Sequence, residues 1–403
     1  MNDKKKIIIV ASVIIIVIIL IIIGLFIYKR LQIKNATIVV ELKENLDVDF
    51  LSNVKVSNLI TNINGKLIDD YEIDTKTVGE KKIEFEYINE DNIKIPYSFK
   101  INIIDTTAPI IWLGGSYTVN AGSDVDLTNK ILCGDNYDSK PVCEVIGEYD
   151  INKEGSYPLV FKATDSSGNT TEKNFRLNVV TPKKGNNSNQ STSKKVTEFS
   201  DVIAEYKTDN TEIGIDISHW QGDVDFDKLK DAGVEFVFIR VGTAKGIDGE
   251  YVLDKKFEQN IKRANEVGIP VGIYFYSYAN TNKRATEDAV WILDQIKDYK
   301  IDLPIAFDWE NWSSFNDFHI SFFGLTDAAN TFLNVFKDEG YEGLLYSSKN
   351  YLEEIWLETD YPIWLAHYTK KTNYEGDYKF WQICNNGHVD GIDGDVDIDI
   401  RYK

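Results

Sequence analysis

Eight strand-like apolar runs alternate with helical patterns over residues 209–403, and this alternation restricts the fold more than any other feature. Amphipathic helical patterns separate the early runs, whereas little room is left for helices between the last three. Alternating strand–helix units form parallel sheets, and eight such strands can close on themselves. The segment is therefore predicted to form an α/β barrel. The eight runs read GIDIS, FVFIRVG, VGIYFYS, PIAFDWE, GLLYSS, PIWLAHY, FWQICNNG and DVDIDI.

The fourth run, LPIAFDWEN, ends in two carboxylates. Successive side chains of a strand point to opposite faces, so Asp308 and Glu310 are expected on one face. Catalytic groups of α/β barrels gather at the C-terminal strand ends, where Asp216 and Asp397 are expected as neighbours after closure. Two carboxylates on one face keep one proton between them, which suits glycoside cleavage by an acid and an anion. A solvated acidic pair at a strand end is the alternative interpretation.

Several motifs follow one another in this segment: GIDISHWQGDVDF, then Asp254, Phe257, Asn260, Ala264 and Gly268 at regular spacing, then GIYFYSYA, DWE, IWLAHY and FWQICNNGHVDGIDGDVDID. Their types and order resemble the family 25 glycoside hydrolases, the Chalaropsis-type lysozymes that cut peptidoglycan between N-acetylmuramic acid and N-acetylglucosamine. The resemblance implies a barrel of the (β/α)5β3 TIM-like type. It also implies a muramidase activity that needs no cofactor.

The resemblance implies roles for individual residues. It makes Glu310 the general acid, Asp308 its charged companion, and Asp216 and Asp397 positioning groups. Attack by the substrate's own N-acetyl group is favoured, and attack by Asp308 itself stays open; both routes retain the β configuration. The family commonly has asparagine at the position of Asp399, and lysine is common at that of Arg240. The predicted substrate-binding residues are Tyr274, Tyr276, Trp309, Trp364, Tyr368 and Gln382.

Residues 7–28 carry no charge and lie between MNDKKK and Lys29–Arg30. At about 1.5 Å per residue, such a helix spans a hydrocarbon core of about 30 Å. The run is too long for a secretory signal. Residues 1–35 are therefore predicted to be a short cytoplasmic stub and an uncleaved anchor in the lipid bilayer, with every other domain outside the cell. The positive-inside rule supports this orientation weakly, because both flanks are basic.

Residues 36–104 and 105–181 repeat one pattern. Gly79, Phe85 and Phe99 recur 76 positions later as Gly155, Phe161 and Phe175. Alternating strands separated by turn signals predict two all-β sandwiches, and the second resembles bacterial immunoglobulin-like surface domains. A spacer role is the first interpretation and wall-polymer binding the second. Residues 182–208 follow as a predicted flexible linker, because they begin with the polar stretch KKGNNSNQSTSKK.

Composition excludes several function classes. Most of the formal net charge of −20 lies in residues 209–403, so nucleic acid is not an expected partner. Cys133 and Cys143 are a candidate disulfide, and no Cys/His cluster predicts zinc. The acidic runs that begin at Asp223 and Asp393 lack the glycine of a calcium loop, so no metal is predicted. A non-catalytic protein that binds or adheres to wall glycan is the alternative to the enzyme, and the sequence does not indicate an oligomeric state.

Overall fold

The computed structural model describes residues 3–182 and 196–403. The chain divides into two compact units, Met1–Thr106 and Thr107–Lys403. The second unit contains the second β domain together with the barrel. The centre of the predicted linker, residues 183–195, lies outside the described residues.

Helix α1 (Asp3–Asn35) opens the first unit. Within the described residues, its stretch Val13–Asn35 is the one helix that could cross a membrane by length and composition. Its apolar side chains from Val13 to Tyr28 stay about half exposed or more. This leaves them available to lipid, which is the environment predicted for residues 7–28.

The first β domain pairs its long strands in a hairpin. β5 and β6 run antiparallel from Gly79↔Ile103 to Ile88↔Lys94, and β2 adds to β6 in parallel. The four-stranded sheet has the order β2-β6-β5-β4, and β1 and β3 form a second small sheet. The strands are β1 (Val40–Leu42), β2 (Asp47–Asp49), β3 (Ile60–Ile63), β4 (Gly65–Leu67), β5 (Gly79–Asn89) and β6 (Lys94–Ile104), with a 3-10 helix at Val56–Leu59.

The second β domain repeats this topology. Its sheet order β8-β12-β11-β10 matches that of the first domain strand for strand, and β11 begins at Gly155 as β5 begins at Gly79. The predicted internal repeat is thus also a repeat of topology, while the immunoglobulin-like assignment stays a prediction. Cys133 and Cys143, the predicted pair, are joined by a disulfide. The elements are β7 (Ile110–Ile111), β8 (Ser116–Asn120), α2 (Leu127–Lys130), β9 (Cys133–Gly134), β10 (Val142–Ile146), β11 (Gly155–Thr164) and β12 (Thr170–Val180).

The C-terminal segment forms a closed barrel of eight strands in the order β14-β15-β17-β18-β19-β20-β21-β22. Its early elements are β14 (Thr211–Ile217), a 3-10 helix (His219–Gln221), α4 (Phe226–Asp231), β15 (Val237–Ala244), β16 (Tyr251–Leu253), α5 (Phe257–Val267), β17 (Val271–Tyr276) and α6 (Asn282–Ile296). The later ones are β18 (Ile305–Asp308), a 3-10 helix (Trp312–Phe318), α7 (Phe322–Asp338), β19 (Gly343–Ser348), α8 (Lys349–Glu354), β20 (Ile363–Ala366), β21 (Phe380–His388) and β22 (Val396–Tyr402).

The eight strands agree with the prediction, but the TIM-like part of it is wrong. A TIM barrel repeats eight parallel strand–helix units. Here β22 runs antiparallel to both β21 and β14. No helix separates the last three strands, which are all among the described residues. An antiparallel last strand needs no crossover helix, because its chain returns directly along its neighbour.

The end of the predicted linker is part of the barrel. β13 (Thr197–Glu198) pairs in parallel with β21, and α3 (Phe199–Tyr206) follows it directly. Phe199 and Val202 are buried in the barrel core, and Tyr206 lies edge-on to Trp381. The predicted boundary at residue 209 is therefore too late. Helix α3 covers the side of the barrel where the last strands have no helix of their own.

Candidate active site

A cavity of about 520 Å³ opens at the C-terminal ends of the parallel strands. All four predicted carboxylates, Asp216, Asp308, Glu310 and Asp397, line it. Four of the predicted substrate-binding residues join them: Tyr274, Trp364, Tyr368 and Gln382. The barrel thus brings together side chains from β14, β17, β18, β20, β21, β22 and the loops that follow them.

Asp308 and Glu310 lie in the cavity at different depths. β18 ends at Asp308, so Glu310 is placed by the turn after the strand rather than by strand alternation. Asp308 is only 3% exposed, whereas Glu310 reaches solvent through the cavity. Burial raises the pKa of both carboxyls, and the neighbouring charge of Glu310 raises that of Asp308 further. Burial therefore favours the protonated form of each carboxyl, and the charge of one opposes ionisation of the other.

The end of β18 is hydrogen-bonded to the segment that follows β17. The backbone N–H of Ser277, just after β17, donates to the carbonyl oxygen of Asp308 at 2.7 Å. The side-chain amide of Asn311 returns the link, since its Nδ2 donates to the carbonyl oxygen of Ser277 at 3.1 Å. These two bonds fix the backbone on both sides of Glu310.

Gln382 is hydrogen-bonded both to a carboxylate and to two tyrosines of the cavity. Its Nε2 donates to Asp216 Oδ2 at 2.7 Å. Its Oε1 accepts from the hydroxyls of Tyr346 and Tyr368, each at 2.9 Å. Burial, followed by the nearby Asp399, raises the pKa of Asp216 well above its usual range. Gln382 is thus an orienting group for Asp216 as well as a wall of the cavity.

Asp397 and Asp399 lie two residues apart on β22. Asp397 is directly opposite Asp216 in the antiparallel register, as the closure of the barrel predicted. Burial and then Asp216 raise the pKa of Asp397 to about 9. Asp399 is fully buried and accepts from Trp364 Nε1 at 2.8 Å. Burial raises its pKa well above the usual range, which favours the neutral form, similar in charge to the asparagine common in the family.

Two predicted substrate-binding residues lie elsewhere. Trp309 is fully buried and packs against Trp312 and Phe318 in the core, so the prediction that it binds substrate is wrong. Tyr276 is not among the cavity-lining residues; its hydroxyl lies 3.5 Å from Asn311 Oδ1. Trp364 contributes from the cavity wall, where it is 1% exposed and stacks on Phe238.

Several lining residues were not singled out from the sequence. Trp220 is the clearest, because it is 77% exposed at the cavity and its ring lies 4.5 Å from that of His219. An exposed indole face suits a sugar ring, and its position within SHWQG, directly after a strand, was an available signal. The other lining residues not predicted are Gln221, Tyr346, Asn385, Asp393, Gly394, Asp395 and Val396.

A buried ion pair lies beside the carboxylates. Arg240, on β15, donates through Nε and Nη2 to Asp254 Oδ2 at 2.9 and 2.7 Å. Its charge opposes the other influences on Asp308 and favours the ionised form of that carboxyl. Arginine here keeps the positive charge of the lysine that is common at this position.

Residues 215–392 match the family described as Glycosyl hydrolases family 25. The chain is 29% identical over 189 residues to the autolytic lysozyme of Clostridium acetobutylicum, covering 46% of this chain and 54% of that protein. It is 28% identical over 202 residues to lysozyme M1 of Streptomyces globisporus, covering 46% and 65%. A solved structure of the modular autolysin LytC from Streptococcus pneumoniae, in complex with a synthetic peptidoglycan ligand, is similar over 60% of this chain and 56% of that protein, at 26% identity and a TM-score of 0.44.

The chain spans about half the length of the Clostridium relative. The matched residues contain Asp216, Asp308 and Glu310, and Asp397 lies five positions beyond their end.

Proposed function

The C-terminal domain belongs to the glycosyl hydrolases of family 25, and from this premise we propose that the protein is a membrane-anchored N-acetylmuramidase. Its substrate would be the β-1,4 bond between N-acetylmuramic acid and N-acetylglucosamine in peptidoglycan. The observation that carries the proposal is the Asp308–Glu310 pair, two carboxyls with raised pKa values that line one cavity open to solvent.

In the proposed reaction, Glu310 delivers the proton. It is the member of the pair that the cavity exposes, so the leaving oxygen can reach it. Asp308 lies deeper and carries the charge once Glu310 holds the proton. The Asp308 carboxylate would then steady the N-acetyl group of the substrate as that group attacks the sugar carbon. Glu310 next takes a proton from the incoming water, and the product keeps the β configuration.

The other carboxyls would position rather than react. Asp216 is held by Gln382, and Asp397 faces Asp216 across the β14–β22 pairing. With raised pKa values, both can donate hydrogen bonds to sugar hydroxyls or acetamido oxygens as neutral acids. Trp220, Tyr274 and Tyr368 supply aromatic surface around them.

Helix α1 supports the location that we propose. An apolar helix of this length could hold the enzyme at the cell membrane, with the short N-terminus in the cytoplasm and the folded domains facing the wall. The β domains then lie between the bilayer and the barrel along the chain, whether or not they bind wall polymers.

The test compares the full chain with its Glu310→Gln variant on gels loaded with cell wall. The variant keeps the size and hydrogen bonding of the side chain but cannot deliver a proton. A positioned general acid is worth about 10²–10⁴ in rate, so the cleared band should disappear on the same time scale. Glu258→Gln, which changes an exposed glutamate on α5, is the matched control.

Two results would contradict the proposal. Near-normal clearing by Glu310→Gln would mean that another group is the acid. Wall binding by the natural chain with no release of reducing ends would favour the non-catalytic, adhesive alternative instead. Nuclear magnetic resonance of the first products checks the stereochemistry, since inversion is incompatible with both retaining routes.

A further inference from the structure

The second β domain contacts the barrel at the segment that follows Glu310. We propose that this domain is a brace for the catalytic segment, and that Asn316 is the positioning residue through which it acts. The inference rests on the proposed function, because it concerns how Glu310 is held. It differs from the spacer role, in which the domain would only set a distance.

Both the oxygen and the nitrogen of the Asn316 side-chain amide are hydrogen-bonded to the second β domain. Its Oδ1 accepts from the backbone N–H of Cys133 at 2.9 Å. Its Nδ2 donates to the carbonyl oxygens of Thr128 and Ile131, at 2.6 and 2.9 Å. Asn316 itself lies in the 3-10 helix Trp312–Phe318, which begins two residues after Glu310. One side chain therefore ties the catalytic segment to three backbone groups of another domain.

The beginning of α7 is held by the same domain. The first N–H groups of a helix have no partner inside it. Here the N–H of Phe322 donates to the carbonyl oxygen of Asp135 at 2.8 Å, and that of Phe323 to Asn136 at 3.2 Å. The segment after Glu310 is thus fixed at Asn316 and again at Phe322. Both acceptors lie in the loop that the Cys133–Cys143 disulfide closes.

A row of aromatic rings links the second β domain to the catalytic strand end. Trp112 lies 4.8 Å from Tyr351, and Tyr351 stacks on Trp312 at 4.0 Å between ring centroids. Trp312 meets Trp309 edge-on at 4.8 Å. Trp309 is the residue between Asp308 and Glu310. Trp309 is buried and so cannot contact substrate, and it is the last ring of this row.

The interface is closely packed. Leu132 of the second β domain belongs to the barrel's own core cluster. A Cβ atom added at Gly134 would lie 2.6 Å from Phe322 and 2.8 Å from Phe315. Interiors at this density do not absorb an added methyl group without displacement. The contact is therefore continuous with the hydrophobic core, unlike that of a module carried on a free linker.

The experiment uses the full chain with Asn316→Ala, which removes all three hydrogen bonds, and Gly134→Ala, which wedges the interface from the other domain. The matched control is Asn265→Ala. Its amide bridges α5 to both backbone groups of Lys300, away from the second β domain. Steady-state kinetics on soluble peptidoglycan fragments and hydrogen exchange of residues 311–323 are measured for each chain.

We expect kcat to fall at least tenfold in both test variants with little change in KM, because a small displacement of a catalytic group is costly. Exchange over residues 311–323 should rise, and circular dichroism should stay the same. Asn316→Asp keeps the acceptor for Cys133 but sets a carboxylate oxygen against the carbonyl oxygens of Thr128 and Ile131, so it should not recover the rate. The control should show neither change.

Unchanged kcat in folded Asn316→Ala and Gly134→Ala would overturn the brace. So would unchanged exchange over residues 311–323. Failure of the proposed function gives a different result, since the natural chain would then be inactive or indifferent to Glu310→Gln.

Discussion

Asp308 and Glu310 share a largely buried site, and burial raises the pKa of both carboxyls. The proton affinity of each depends on the charge of the other, so neither carboxyl has an independent pKa. The difference in depth divides the roles that we propose: Glu310 exchanges protons with the substrate because the cavity exposes it, whereas Asp308, whose neutral form burial favours, becomes charged only once Glu310 holds the proton.

We predict that Asp308→Asn narrows the pH range of activity from the alkaline side. The substitution removes the negative charge of Asp308 and puts an amide donor in its place. Both changes stabilise the ionised form of Glu310 and lower its pKa. The acid form is then lost at a lower pH, so the limb where activity falls with rising pH should move down. The pH dependence of kcat, followed over the residual activity, tests this. An alkaline limb that stays in place would mean that the two carboxyls are not coupled.

Asp399 makes a separate prediction about stability. Burial raises its pKa in the folded chain, so the folded state keeps a proton that the unfolded state loses above about pH 4. This contribution to stability is full below that pH and is lost as pH rises, by about 1.4 kcal/mol per pH unit for one proton. The free energy of unfolding of Asp399→Asn should therefore decrease less between pH 4 and pH 8 than that of the natural chain.

Chemical denaturation at several pH values measures this difference. At pH 4 the side chain at position 399 is neutral in both folded chains. The stability of each chain at that pH is therefore the reference for its own decline. Parallel declines in the natural chain and in Asp399→Asn would mean that Asp399 is ionised in the folded protein. Activity should persist in the variant, because the amide can still accept from Trp364.

Among the elements, α3 shows what the sequence could and could not predict. The eight barrel strands and the repeated hairpins were recognised because their periodicity is local. Helix α3 was included in a linker, although Phe199, Val202 and Tyr206 have the spacing of an apolar helical face. The polar stretch before it hid that signal. Glu310 was expected on the strand, yet the strand ends at Asp308, because strand ends depend on tertiary contacts such as Ser277 to Asp308.

We predict that Phe199→Ala destabilises the barrel by about 3–5 kcal/mol, as expected for a buried phenylalanine. Phe199 is 2% exposed, whereas Val196, three residues earlier, is 42% exposed and provides the control Val196→Ala. Tryptophan fluorescence during denaturation follows the barrel, which contains seven of the eight tryptophans. Equal stability of both variants would restore residues 196–208 to the linker.

For the whole molecule, the sequence predicts that the second β domain and the barrel are separate domains, whereas the structure groups them in one compact unit. This unit has Thr107 as its first residue, and Leu132 of the β domain belongs to the core cluster of the barrel. Sequence patterns could not predict this, because neither the Asn316 amide nor the row of aromatic rings has a periodic signature.

We predict that protease added to intact, wall-stripped cells digests the chain beyond about residue 35. The expectation follows from α1, the one candidate span among the described residues, and from the proposed substrate, which lies outside the membrane. Immunoblotting for a barrel epitope, with a cytoplasmic protein as the control for intact membranes, gives the result. Full protection of the barrel would place the folded domains inside the cell.

The antiparallel course of β22 determines where the chain leaves the barrel. Asp397 lies at the level of the carboxylates, but Tyr402 pairs with Thr211 at the opposite end of β14. Lys403 donates to the carbonyl oxygen of Asn210 there. A fluorescent tag, an affinity handle or a sensor surface coupled after Lys403 would therefore be attached a full strand length from the cavity. Immobilisation through this point should leave the mouth of the cavity facing the solution.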